Sequence, residues 1–207
     1  NLSEDDIELH LNISEYNITS VLPENVSSLA IIDFEEWRPL FRQNNYKKEV
    51  YKNASFEIIK SWNNVTDSEL NETAKEEYNK AAKNFILKTI EKAKELRPNA
   101  SWGLYGFPYC NYDAGKDGNS SCNAAILREA NRIAQKYTPP LPIFPYTKFE
   151  YDPLNKNCSF YDDKDLCSTI IQPALMGVNG LIFWSSSRNM QTRCNAIKDF
   201  VNLKLGP

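Results

Sequence analysis

The chain has 207 residues, enough for one domain with a sizeable core and too few for two comfortable ones. Its content, 42% apolar and 12% aromatic, makes it globular rather than disordered, and a net charge of −3 leaves no basic footprint for nucleic acid. No apolar run approaches the roughly 18 residues of a membrane span, and no signal peptide opens the chain, which reads as already processed.

Asn-x-Ser/Thr sequons occur at Asn1, Asn12, Asn17, Asn25, Asn53, Asn64, Asn71, Asn99, Asn119 and Asn157. Chance gives a few in an Asn-rich chain; ten imply a secreted, extracellular glycoprotein, with unmodified Asn-rich composition as the alternative. Five cysteines fit the same compartment. Cys110 and Cys122 bracket one polar loop, and Cys158 and Cys167 bracket another. Each pair is close enough for a local bridge, although spacing does not prove connectivity. Cys194 is left over, as a free thiol or as half of a bridge to a partner outside this chain.

Residues 1–28 are acidic and rich in Asn and Ser, and weak helical spacing at Ile7, Leu9, Leu11 and Ile13 predicts a surface helix or arm. His10, the only histidine, lies here, remote from the acids considered next. That argues against Ser-His or Cys-His chemistry and against a His-built zinc site, so no metal or cofactor is expected.

Leu29-Ala30-Ile31-Ile32 runs straight into Asp33-Phe34-Glu35-Glu36-Trp37-Arg38-Pro39. The apolar run predicts a strand of a parallel sheet, buried on both faces and ending near Phe34 to Trp37 because Pro39 cannot continue a ladder. Side chains two apart in a strand share a face, so Asp33 and Glu35 are expected to point together, about 6–7 Å apart, at the end where parallel β/α folds place their chemistry. Two like charges beside apolar neighbours cannot both ionise easily, so one acid should hold its proton toward neutral pH and suit general acid work on a glycosidic oxygen. The plainer reading is a strand that merely ends in acids at the solvent edge.

A short helical pattern through Ile58-Ile59 follows. Thr66 to Glu69 fits a capping box, and a long amphipathic helix runs from Leu70 to Leu96, stopped by Pro98. Ser101 to Cys110 reads as an aromatic strand, completing a βαβ unit. A helix over Ala124 to Lys136, a strand over Leu141 to Tyr151, a helix over Leu166 to Met176, a strand over Leu181 to Trp184 and a last helix bearing Cys194 follow. The alternation predicts one α/β domain over 1–207, with parallel strands, outer helices and 1–28 as an N-terminal arm. Tyr105, Tyr146 and Trp184 are expected at or near the C-terminal ends of their strands, with the acids. Acids ringed by aromatics suit sugar binding; the alternative is that each aromatic fills core.

Ile32 to Pro39 resembles the signature of the animal hyaluronidase family, glycoside hydrolases built on a distorted (β/α) barrel. With Phe41-Arg42-Gln43-Asn44 it is most similar to the insect venom and salivary members. Arg97-Pro98-Asn99, Trp102 to Cys110, Leu141 to Tyr146 and Gly180 to Trp184 extend the resemblance over residues 29–207. It implies a partial or distorted barrel and substrate-assisted, retaining hydrolysis of the glycosaminoglycans hyaluronan or chondroitin. Glu35 would be the acid/base, with the substrate's own N-acetyl carbonyl as nucleophile and Asp33 orienting that amide. Tyr105, Tyr146 and Trp184 would bind substrate. The resemblance also implies pairing of Cys110 with Cys122, and a partner for Cys194 in the first barrel strand.

Relative to the family, the chain lacks the first two strands and a central segment between Cys122 and Leu141. Four strands where a closed barrel needs about eight leave an edge that a partner chain, a second copy or a local rearrangement should cover, with Cys194 as one route. The alternative to an active hydrolase is an inactive descendant with a binding or structural role.

Overall fold

A computed structural model describes residues 4–62, 64–106, 121–154 and 159–206. The chain divides into two compact units, Asn1–Gly106 and Phe107–Pro207.

In the first unit, helix α1 (Glu4–Val21) packs along α3 (Leu70–Leu96), a 27-residue helix. Ile7 is buried with Phe85 and Ile86, and Leu11 and Ile90 pack against them. Leu9 and Ile13 are exposed, which corrects the expected stripe: on a helix, alternate residues cannot share a face, whereas positions three and four apart do. His10 lies on the inward side, its ring centroid 4.1 Å from that of Phe85. The Thr89 hydroxyl donates to Phe85 O at 2.7 Å, so its oxygen accepts from His10 Nε2–H at 2.9 Å, which sets the tautomer. Arg97, just past α3, is buried and donates from Nε and Nη2 to Leu22 O at 2.8 and 2.6 Å. A cation is thereby placed at the negative end of α1.

The capping box at Thr66 forms in part. Its N–H and hydroxyl both donate to Glu69 Oε2, at 3.2 and 2.6 Å, and these bonds hold the Glu69 carboxyl below its usual range. Helix α2 (Glu49–Lys60) packs on α3 through Ile59, Phe41 and Ala74.

Strand β1 (Leu29–Ile32) pairs in parallel with β2 (Ser101–Leu104), in register from Leu29 opposite Ser101 to Ile32 opposite Leu104. Two expectations change. The strand ends at Ile32, before Phe34, and only Ala30 is buried while Leu29 is exposed. A two-stranded sheet supplies too little neighbouring surface to bury a strand on both faces.

In the second unit, helix α4 (Ser121–Ala134) buries Ala124, Leu127 and Ala134, close to the predicted range. Strand β3 (Tyr146–Thr147) pairs in parallel with β4 (Ile182–Phe183). Both are far shorter than expected. Pro142 and Pro145, which lack N–H donors, bound β3 from one side. Tyr146 therefore opens β3, which corrects its expected place near the strand's C-terminal end. The four strands among the described residues form two separate two-stranded sheets instead of one four-stranded arc.

The helix expected from Leu166 starts earlier. It comprises α5 (Asp163–Leu166), capped by the Asp162 carboxylate accepting from Asp165 N at 2.9 Å, a π-helical stretch Cys167–Ile171, and α6 (Gln172–Leu175). The wider turn precedes Pro173, whose ring and missing N–H do not fit a regular α-helical interior. Helix α7 (Met190–Phe200) brings Phe200 onto Phe149 and Leu166 as the core. Cys167, at the start of the π-helical stretch, is a free, exposed thiol, and the expected bridge falls on a partner, Cys158, outside the described residues. Cys158 and Cys110 lie outside the described residues, as does the side chain of Cys122. Cys194 is free and exposed.

Burial lowers the pKa of His10 below its usual 6.5. The unfolded chain then binds more protons than the native one as pH falls through 6.5, so stability is fullest above that pH and declines below it. Urea midpoints measured from pH 7.5 to pH about 5 should fall with acidification. A smaller fall is expected in His10→Gln over the same window.

Candidate functional site

The acid stretch leaves β1 without leaving its alternation. Asp33 and Glu35 are exposed, while Phe34 between them is half-buried against Phe85 and Trp37 at ring separations of 5.3 and 5.8 Å. Trp37 in turn meets Phe85 and Tyr78 at 5.5 and 6.4 Å. Two aromatic anchors thus hold a segment that belongs to no strand, and the acids face outward between them.

The backbone that follows is held by side chains. Asn44 is fully buried; its Oδ1 accepts from Arg38 N at 2.7 Å, and its Nδ2 donates to Arg38 O at 2.9 Å and Leu40 O at 3.1 Å. Tyr78 adds a bond to Arg38 O at 2.8 Å, and burial pushes its hydroxyl pKa up to about 12. Asn79 Oδ1 accepts from Phe41 N at 2.8 Å. Lys48 donates to the carbonyls of both Glu35 and Glu36, the second at 2.7 Å. Because β1 has ended, no strand partner takes these carbonyls, and the ammonium does.

Asp33 is the acid whose pKa is shifted upward. Partial burial is the first cause, the charges of Glu35 and Glu36 add to it, and Arg38 opposes. Asp33 is therefore close enough to Glu35 and Glu36 to feel their charges.

Tyr105 N donates to Ile32 O at 2.9 Å, which carries the β1–β2 ladder one step past Leu104 and sets Tyr105 level with Asp33. Gly106 follows with φ of 77°, a left-handed conformation that turns the chain immediately after the tyrosine. Asp33 and Tyr105 thus follow directly on the C-terminal ends of β1 and β2, with Glu35 two residues further along. Tyr146 and Trp184 belong to the second unit, both exposed. Trp184 N donates to Thr147 O at 2.9 Å, just beyond β4, and Lys148 Nζ lies 4.9 Å from its ring centroid.

Behind Trp184 is a buried ionic knot. Arg193 and Glu150 are an ion pair with both side chains removed from solvent, and the Ser185 hydroxyl donates to the same Glu150 oxygen. Arg193 Nη1 donates to Ser186 O at 3.1 Å and Arg188 O at 2.6 Å, tying down the segment after Trp184.

Comparison with known proteins follows from this geometry. The family model described as hyaluronidase matches residues 3–126 and 119–207. The chain belongs to the hyaluronidase family. The two matched pieces overlap over residues 119–126. A chondroitin hydrolase of Caenorhabditis elegans is 29% identical over 98% of this chain and 54% of that protein. Human hyaluronidase PH-20 is 30% identical over 96% of this chain and 48% of its own length. The chain thus spans about half the length of the curated relatives it matches. A crystal structure of bee venom hyaluronidase in complex with a hyaluronic acid tetramer superposes with a TM-score of 0.79 at 25% identity, covering 97% of this chain and 75% of that one.

Sequence reasoning selected Asp33, Glu35 and Tyr105. It missed Asn44, Lys48 and Tyr78, which hold the acid loop, although Asn44 closes the Phe41-Arg42-Gln43-Asn44 string. Nothing in the pattern pointed to Glu150 and Arg193.

Asn44→Ala removes the acceptor of the Arg38 N–H and empties a fully buried position, while Arg38 O keeps Tyr78 and Leu40 O keeps Gln43 N; it should cost about 1–3 kcal/mol in urea denaturation. Arg193→Met should cost about 3–5 kcal/mol by leaving Glu150 charged and buried, and adding Glu150→Gln should recover part of that loss.

Proposed function

We propose that this chain carries the hydrolytic machinery of a secreted, hyaluronidase-like glycosidase that cleaves β-1,4 N-acetylhexosaminide bonds of hyaluronan or chondroitin with retention. In this reading Glu35 protonates the leaving glycosidic oxygen, and the carbonyl of the substrate's N-acetyl group attacks the anomeric carbon. Asp33 hydrogen-bonds the amide N–H and stabilises it as the ring closes. Glu35 then takes a proton from the water that opens the cyclic intermediate, restoring the starting state. Tyr105 binds the reacting sugar beside Asp33, and Tyr146 and Trp184 are substrate-binding aromatics. The fold is read as a partial (β/α) barrel, supported by the parallel strand pairs joined through helices and by the likeness to the bee venom enzyme.

One observation carries the reading. Phe34 is held inward, so Asp33 and Glu35 emerge together beside Tyr105, and the charges of Glu35 and Glu36 help to raise Asp33. Burial and the neighbouring carboxylates raise the basicity of Asp33, which suits a group that accepts the amide hydrogen bond and draws its proton as the ring closes.

Secretion is supported by the sequons. Asn12, Asn17, Asn25, Asn53, Asn64, Asn71 and Asn99 are all exposed, as glycan acceptors must be; Asn1, Asn119 and Asn157 lie outside the described residues. Among the described residues no helix is long and apolar enough to cross a membrane.

The test is a reducing-end assay on hyaluronan and on chondroitin with the native glycoprotein. Glu35→Gln is expected to lower kcat at least about 1,000-fold with little change in KM, as loss of a group acting in the transition state. Asp33→Asn is expected to lose about 100-fold. No turnover by the native protein, with saturable hyaluronan binding retained, would replace this reading with that of a non-cleaving descendant.

A further inference from the structure

A cavity of about 240 Å³ lies in the first unit between α2 and α3, with Trp37 on its wall. Small residues make it. Ala54 on α2 and Ala81 on α3 line it where larger apolar side chains would close the gap between two packed helices. The rings of Trp37, Tyr51 and Tyr78 form its aromatic walls.

Its polar inventory is short. The Ser55 hydroxyl is used on Tyr51 O at 2.9 Å. The Tyr78 hydroxyl donates to Arg38 O at 2.8 Å and accepts from Asn44 Nδ2 at 3.1 Å. Glu77 also lines the cavity, half-buried, and makes no hydrogen bond or ion pair among the described residues. Its carboxylate is the one acid on this wall, and no cation among the described residues stands against it.

These features select a ligand class. A sugar would need several hydrogen-bond partners, and the wall has few to give. An anion would be repelled by Glu77. A compact apolar body with one ammonium head fits both halves of the site: the rings and alanines take the body, and Glu77 with the aromatic faces takes the charge. We propose that this cavity binds a small aryl- or alkylammonium ion. The proposal does not depend on the glycosidase reading, since it uses none of Asp33, Glu35 or Tyr105.

Calorimetric titration of the native protein with phenethylammonium tests it, with 2-phenylethanol as the neutral analogue and 3-phenylpropionate as the anion. Saturable binding at one site is expected, tightest for the ammonium ion by about ten-fold over the alcohol and weakest for the carboxylate. Glu77→Gln should remove that ten-fold preference while leaving the alcohol's affinity unchanged, and this near-isosteric change at a half-buried position keeps the fold intact. Ala81→Leu should fill the cavity and abolish binding of all three. Absence of saturable binding, equal affinity for cation and alcohol, or phenethylammonium binding undiminished in both variants would overturn the proposal.

Discussion

One buried amide holds the acid loop in place. After Ile32 the chain has no strand to belong to, yet it must present two carboxylates in fixed relation. The Asn44 side chain stands in for the missing strand, pairing with both the N–H and the C=O of Arg38 as a neighbouring backbone would. Tyr78 and Asn79, adjacent on α3, extend that contact to Arg38 O and Phe41 N. The longest helix of the first unit thus serves two purposes, burying Phe85 and Ile86 on the α1 side and holding the acid loop with its polar groups.

The second unit meets a similar need with charge. Glu150 and Arg193 are buried as a pair, and the guanidinium spends two of its hydrogen bonds on backbone carbonyls after Trp184. A buried ion pair adds little net stability compared with well-packed apolar residues, so its value here lies in orientation: the arginine's planar donors fix where Ser186 and Arg188 present their carbonyls. A short strand such as β4 cannot do this alone.

Legibility of the sequence tracks the physics of each element. The 27-residue α3 was readable because its apolar face repeats over many turns, and α4 for the same reason. The parallel pairing of β1 with β2 and the joint exposure of Asp33 and Glu35 followed from the period of a strand, which the chain keeps even after the ladder ends. Strand lengths were not readable. Apolar strings such as Leu141 to Tyr151 look like strands, but only two of those residues find a parallel partner, and the prolines among them donate nothing. Asn44, Lys48, Glu150 and Arg193 were invisible because a polar residue in a loop or on a helix reads as solvated until the fold of the chain brings its backbone or side-chain partner beside it. The stripe on α1 was misread by treating alternate residues as neighbours.

The bond from Arg97 to Leu22 spans 75 positions. Helix α1 and β1 are synthesised before the groups that dock them, on α3 and at Arg97, which follow at about 5–20 residues per second. For several seconds Ile7 and the β1 edge have no native surface to cover them. Through that interval the acidic residues of α1, among them Asp5, Asp6 and Glu8, keep charge beside the apolar side chains that wait for α3.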